Sequence, residues 1–90
     1  MAPEPRFTEK QGQYLAFIHS YTLVNGQPPA EADMQRFFGV TPPTVHQMVI
    51  GLERAGLIRR VPRQARSIEV AVEAAEIPAL QPIKTSAAKY

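Results

Sequence analysis

A mainly α fold, three helices closed by a small antiparallel β-hairpin, is predicted by three features of this 90-residue chain. Apolar residues recur at three- and four-residue spacing in three successive segments, and a glycine stands at or just beyond the end of each. Beyond them the period changes: Ile68, Val70 and Val72 alternate with Ser67, Glu69 and Ala71, as in a half-buried strand. Ninety residues suffice for one small domain and leave little for a second core.

The first helix starts after Thr8, whose hydroxyl can accept from an unpaired backbone N–H, with Gln11 at the reciprocal capping position. Tyr14, Leu15, Ile18, Tyr21 and Thr22 form its buried stripe, and Phe17 joins the core. Asn25-Gly26 ends it, because both residues tolerate the left-handed conformation, and Pro28-Pro29 prevents continuation. A short second helix fits Ala30 to Phe38, with Met34, Phe37 and Phe38 apolar and no side-chain oxygen at Ala30 to cap it. The third begins at Thr41, its cap, with Pro42 and Pro43 in the first turn, where a missing N–H costs nothing. Val45, Met48, Val49 and Leu52 face inward, and Ala55-Gly56 closes it. Strands are expected at Leu57–Val61 and Ser67–Val72 around a turn at Pro62–Arg66. That order is a winged helix-turn-helix. Residues 1–7 read as a disordered arm, 8–72 as the domain, and 73–90 as a flexible tail with at most one helical turn.

Composition narrows the function. Without cysteine there is neither a disulfide framework nor a thiolate metal site. His19 and His46 lack a helical i,i+4 relation, so no metal or other cofactor is expected. No apolar run approaches the roughly 20 residues that span a bilayer, and Met1–Arg6 has no signal-peptide core. The expectation is a cytoplasmic protein with no membrane partner. Net charge is only +2, but its distribution is uneven. Residues 1–40 net −1, residues 41–72 net +3 through five arginines, and residues 73–90 balance. Positive charge concentrated beside the third helix could track phosphates.

Thr8 with Gln11, "NGQPPAEADMQRFFGV", "TPPTVHQMVIGLERAGLI" and "ARSIEV" together resemble the DNA-binding domain of LexA-type repressors, from Thr8 to about Val72. The most specific element is the Gly26-Gln27-Pro28-Pro29 link; the Leu-x-x-x-Gly-Leu-Ile exit from the third helix is shared by many winged helices. The resemblance implies double-stranded DNA as partner, the third helix in the major groove and the wing over the backbone, in a nucleoid-associated regulator. The family's self-cleaving peptidase domain, which also dimerises it, is not expected within these 90 residues. Neither proteolysis nor a dimer interface therefore carries over, and pairing on DNA would need a homodimer contact elsewhere or a separate protein. Ala30 stands where the family usually has a capping Thr, and Phe37 where it is usually polar.

A helix-turn-helix reads sequence with the first turns of its second helix, the part that reaches the groove floor. The outward residues there give base-contact candidates: Pro43, Thr44, His46, Gln47 and Ile50. Gln47 can pair bidentately with adenine, the Thr44 hydroxyl and His46 ring can bond base edges, and Pro43 or Ile50 can touch a thymine methyl. Phosphate-contact candidates are Thr41 at the helix start and Arg54, Arg59, Arg60, Arg63 and Arg66, with Arg63 and Arg66 favoured at the hairpin tip. A solvated polar helix face and a solvated basic surface are the bland counterparts of both sets. No serine has a base placed by local spacing and no glycine-rich phosphate loop occurs, so no enzyme is expected. The competing function is a winged-helix protein-interaction module, which exposed Phe37 and Ile50 would favour.

Overall fold

The first helix, α1, runs Glu9–Asn25, and α2 (Glu31–Phe38) and α3 (Pro42–Arg54) follow it. A two-stranded antiparallel hairpin, β1 (Ile58–Arg59) and β2 (Glu69–Val70), comes next, then a 3₁₀ turn at Ala74–Glu76. The structure is a computed structural model and describes residues 6–82. The architecture is the winged helix-turn-helix that the sequence predicts.

Local chemistry sets the helix ends. At the start of α1 the Gln11 amide donates to Thr8 Oγ1 at 3.1 Å and the Thr8 amide to Gln11 Oε1 at 2.9 Å, a reciprocal capping box. Uncapped by its own side chain, Ala30 donates its amide to Asp33 Oδ2 at 2.8 Å, so a carboxylate one turn inside α2 holds the helix start. Thr41 caps α3 by accepting from the Thr44 amide at 3.4 Å, and the two hydroxyls lie 2.9 Å apart. The exit of α3 is a Schellman motif: Leu57 N–H donates to Leu52 at 2.9 Å and Gly56 N–H to Glu53 at 3.0 Å. That geometry needs the left-handed Gly56, at φ +75°.

Tyr14, Leu15 and Ile18 of α1, Met34 of α2, Val45, Val49 and Leu52 of α3, and Leu57, Ile58 and Ile68 of the hairpin make one core. An aromatic layer extends it. The Tyr14 and Phe38 rings stack at 4.0 Å, and Phe37 stacks on Phe17 at 4.7 Å. Phe37 is therefore packed against the core rather than presented as an exposed anchor.

The hairpin is shorter than its alternation suggests. Only Ile58↔Val70 and Arg59↔Glu69 pair, prolonged by Ala71 N–H to Leu57 at 2.8 Å. Beyond Arg59 the Ser67 hydroxyl replaces the ladder, accepting from the Val61 amide at 2.9 Å and lying 2.9 Å from the Gln64 carbonyl. Pro62 has no N–H to donate, and Arg63 and Arg66 both take left-handed backbone, at φ +65° and +56°.

The segment after the wing departs from the flexible tail expected at 73–90. Residues 73–82 return along α1, with Ile77 and Leu80 packed against the core. Gln13 grips this strap with both ends of its amide, donating to the Ala79 carbonyl at 3.0 Å and accepting from the Gln81 amide at 2.7 Å. Gly12 leaves the space, since a Cβ there would meet the Phe7 ring at 3.0 Å and Pro78 at 3.1 Å. The expected disordered arm is likewise corrected at its end: Phe7 packs on the core and Arg6 pairs with Glu76 at 3.2 Å. Residues 1–5 and 83–90 of the expected arm and tail lie outside the described residues.

Candidate nucleic-acid interface

Helical periodicity divides α3 into two faces. Val45, Val49 and Leu52 are buried, while Pro43, His46, Gln47, Ile50 and Arg54, spaced three and four apart, share the opposite stripe. Pro43, Thr44, His46, Gln47 and Arg54 are exposed, and Ile50 is half-buried. Thr44 stands on the flank of the stripe, above Gly51, with Pro43, Gln47 and Met48 around the same shallow depression. A Cβ at Gly51 would meet nothing within 4 Å among the described residues, so no packing there requires this glycine. The base-contact candidates thus occupy one continuous outer surface.

His46 is tied to α2, its Nδ1 lying 3.4 Å from Glu31 Oε1. That contact leaves the other ring nitrogen of this exposed side chain without a partner of its own among the described residues. Thr41 and Thr44 share a hydroxyl contact at the head of α3, leaving each with a lone pair or a proton for an outside group.

The arginines separate according to their partners. Arg59 lies 3.0 Å from Glu69 across the hairpin, and both side chains are well exposed. Arg60 reaches back to Glu53 of α3 at 3.1 Å. Exposed pairs such as Arg59–Glu69 contribute about 0–1 kcal/mol, so Arg59 can exchange its carboxylate for a phosphate at small cost, whereas the Arg60–Glu53 pair is partly buried. Arg54 and Arg63 have no acidic partner among the described residues. Arg63, exposed at the left-handed wing turn, is the least encumbered cation of the wing.

Arg66 departs from its expected role at the hairpin tip. Its Nη1 points inward, donating to Asp33 Oδ2 at 3.0 Å, the Tyr21 hydroxyl at 3.2 Å and the Pro28 carbonyl at 3.3 Å. Asp33 is only 8% exposed, and it also pairs with Arg36. The Ala30 amide, followed by Arg66 and Arg36, holds the Asp33 carboxyl below the usual carboxylate range against the opposing effect of burial. Withdrawing Arg66 to reach a phosphate would take from that buried charge one of its two cations. Of the five arginine candidates for phosphate, Arg54, Arg59, Arg60 and Arg63 have no such buried carboxylate opposite them among the described residues.

Arg60, Arg63 and Arg66 line a cleft of about 280 Å³ between the wing and the start of α2, with Glu31 also on its wall. Sequence reasoning missed the acids that organise these cations: Glu31, Asp33, Glu53 and Glu69. Glu69 was legible only once the hairpin register was known. Asp33 stood at a capping position, but nothing local linked it to an arginine 33 residues away.

The comparisons with known proteins agree with this geometry. The family model described as the LexA DNA binding domain matches residues 4–67. The chain belongs to that family. A LexA repressor of Thermosipho melanesiensis is 42% identical over 65 residues, covering 72% of this chain and 33% of the relative. A LexA repressor of Thermosipho africanus is 40% identical over 63 residues, covering 70% and 32%. One of Bartonella quintana is 38% identical over 64 residues, covering 70% and 27%. The chain thus spans about a third or less of the length of these curated relatives. The family match takes in the helices and the wing up to Ser67, but not the strap at 73–82.

Proposed function

We propose that the protein binds double-stranded DNA with sequence preference and acts as a repressor-like transcriptional regulator. The observation that carries this reading is the outer stripe of α3, flanked by Arg54 and Arg63, which have no acidic partner among the described residues, and by the exchangeable Arg59 with Arg60 beside it. In this reading α3 enters the major groove, where Gln47, Thr44 and His46 meet base edges and Pro43 and Ile50 meet thymine methyls. Arg63 and Arg60 of the wing, with Arg59 and Arg54, bear on phosphates, and the exposed start of α3 at Thr41 offers amides to another. One recognition helix and one wing form a small interface. Affinity would come from two copies on half-sites about one helical turn apart, paired by a homodimer contact or a separate protein. Such a regulator works in the cytoplasm at the nucleoid.

The protein-interaction alternative loses its main support, because Phe37 is packed on Phe17 and Ile50 is half-buried. The test is an NMR titration with mixed-sequence duplex at two salt concentrations. Shifts should cluster at residues 41–50 and 59–65 and weaken steeply as salt rises. Shifts confined to α1, or none at low salt, would refute DNA binding.

A further inference from the structure

We propose that Asp33 and Arg66 are positioning residues for DNA binding, a pair with its carboxylate buried that fixes the wing's angle to the helix-turn-helix so that Arg63 and α3 engage one duplex together. The inference rests on the DNA-binding reading and concerns how its two halves are held in register.

The wing cannot set its own direction. Two residue pairs form its ladder, and two-stranded ribbons of this kind are marginal without outside support. Its base rests on the core through Ile58 and Ile68, and the polar part of its support comes chiefly from one guanidinium. Arg66 joins the foot of the wing loop to Tyr21 of α1, to the Pro28 carbonyl in the link, and to Asp33 of α2. Its left-handed backbone, at φ +56°, is a conformation that non-glycine residues keep only where surroundings impose it. Asp33 completes the junction from the other side, since the same carboxylate holds the Ala30 amide at the head of α2. The start of the helix-turn-helix and the base of the wing are therefore referred to a single buried side chain. Three residues before Arg66, Arg63 projects from the same loop with no acidic partner among the described residues.

A positioning role and a phosphate-contact role for Arg66 predict opposite signs for one substitution. Asp33→Asn removes a negative charge while keeping an oxygen for the Ala30 amide. If Arg66 touched phosphate, freeing it and raising the net charge would tighten binding and steepen the salt dependence by about 0.9 in the log–log slope. If Arg66 positions the wing, the same change loosens the junction and weakens binding despite the added positive charge.

Fluorescence anisotropy with a mixed-sequence duplex at low salt decides between them, using the full chain below the melting range of every variant. Wild type should bind, Asp33→Asn should bind about fivefold more weakly, and Arg63→Ala should cost less in the Asp33→Asn background than alone. Arg66→Lys keeps the charge but ends one bond short of Nη1, so its ammonium is drawn back from the Tyr21, Pro28 and Asp33 acceptors, and it should reproduce the weakening if Asp33→Asn fails to fold. Tighter binding by Asp33→Asn, or strict additivity with Arg63→Ala, would overturn the proposal while leaving DNA binding intact. No binding by wild type would instead overturn the DNA-binding reading and this inference with it.

Discussion

Gln13→Ala tests whether the segment after the wing is part of the domain. The Gln13 amide makes two bonds to the strap, to Ala79 at 3.0 Å and from Gln81 at 2.7 Å. Net contributions of about 0.5–1.5 kcal/mol per bond, taken toward the low end for partly exposed groups, give about 1–2 kcal/mol. A domain of this size shifts its melting temperature by about 4–8 °C per kcal/mol, so Gln13→Ala should melt roughly 5–15 °C lower. In a chain truncated after Glu73 the substitution has no partner to remove and should cost less than about 0.5 kcal/mol, like other surface changes. Circular dichroism melts of the four proteins complete the cycle. Equal losses in both lengths, or no loss in either, would refute a strap docked through Gln13.

Acid should weaken the fold at one identifiable place. The Asp33 carboxyl lies below its ordinary value, so its contribution is present above the unfolded value of about 3.9 and is lost as pH falls toward the folded value. Urea midpoints should drop below about pH 4 in wild type and less steeply in Asp33→Asn; parallel curves would show that Asp33 is not the group responsible. At the interface, Arg63→Ala should weaken binding to all duplexes alike and lower the salt slope by about 0.9. Gln47→Ala should instead relax preference at one base position by about 1–3 kcal/mol in a site-selection experiment. An unchanged preferred site for both Gln47→Ala and Thr44→Ala would remove α3's outer stripe as the reading face.

The helices were legible because their signals are local. Thr8 with Gln11, Gly26, Thr41 with its prolines, and Gly56 each act within a turn, and the structure places an end at every one. The inward stripe of α3 was readable for the same reason, since periodicity alone separates Val45, Val49 and Leu52 from Gln47. Long-range pairing was not legible. The tail at 73–82 offered two prolines and alanines, which suggest a linker, and only the fold brings Gln13 within reach of Ala79 and Gln81. The hairpin ladder ended early because the Ser67 hydroxyl took over its bonds, a substitution that alternating hydrophobicity cannot signal.

The arginines carry the sharper lesson, because type and spacing made them look equivalent. Five lie between residues 54 and 66, and each could serve a phosphate by its chemistry. Their division depends on the burial of the acid opposite. Glu69 is 68% exposed, so Arg59 gives up little by leaving it, whereas Asp33 is 8% exposed and would keep only Arg36 and the Ala30 amide against its charge. Breaking a buried pair from one side is strongly destabilising, while exposed pairs are worth little. One wing thus contains different kinds of cation: Arg63 without an acidic partner among the described residues, Arg59 in an exposed pair, Arg60 in a partly buried one, and Arg66 bonded to a buried carboxylate of the fold itself.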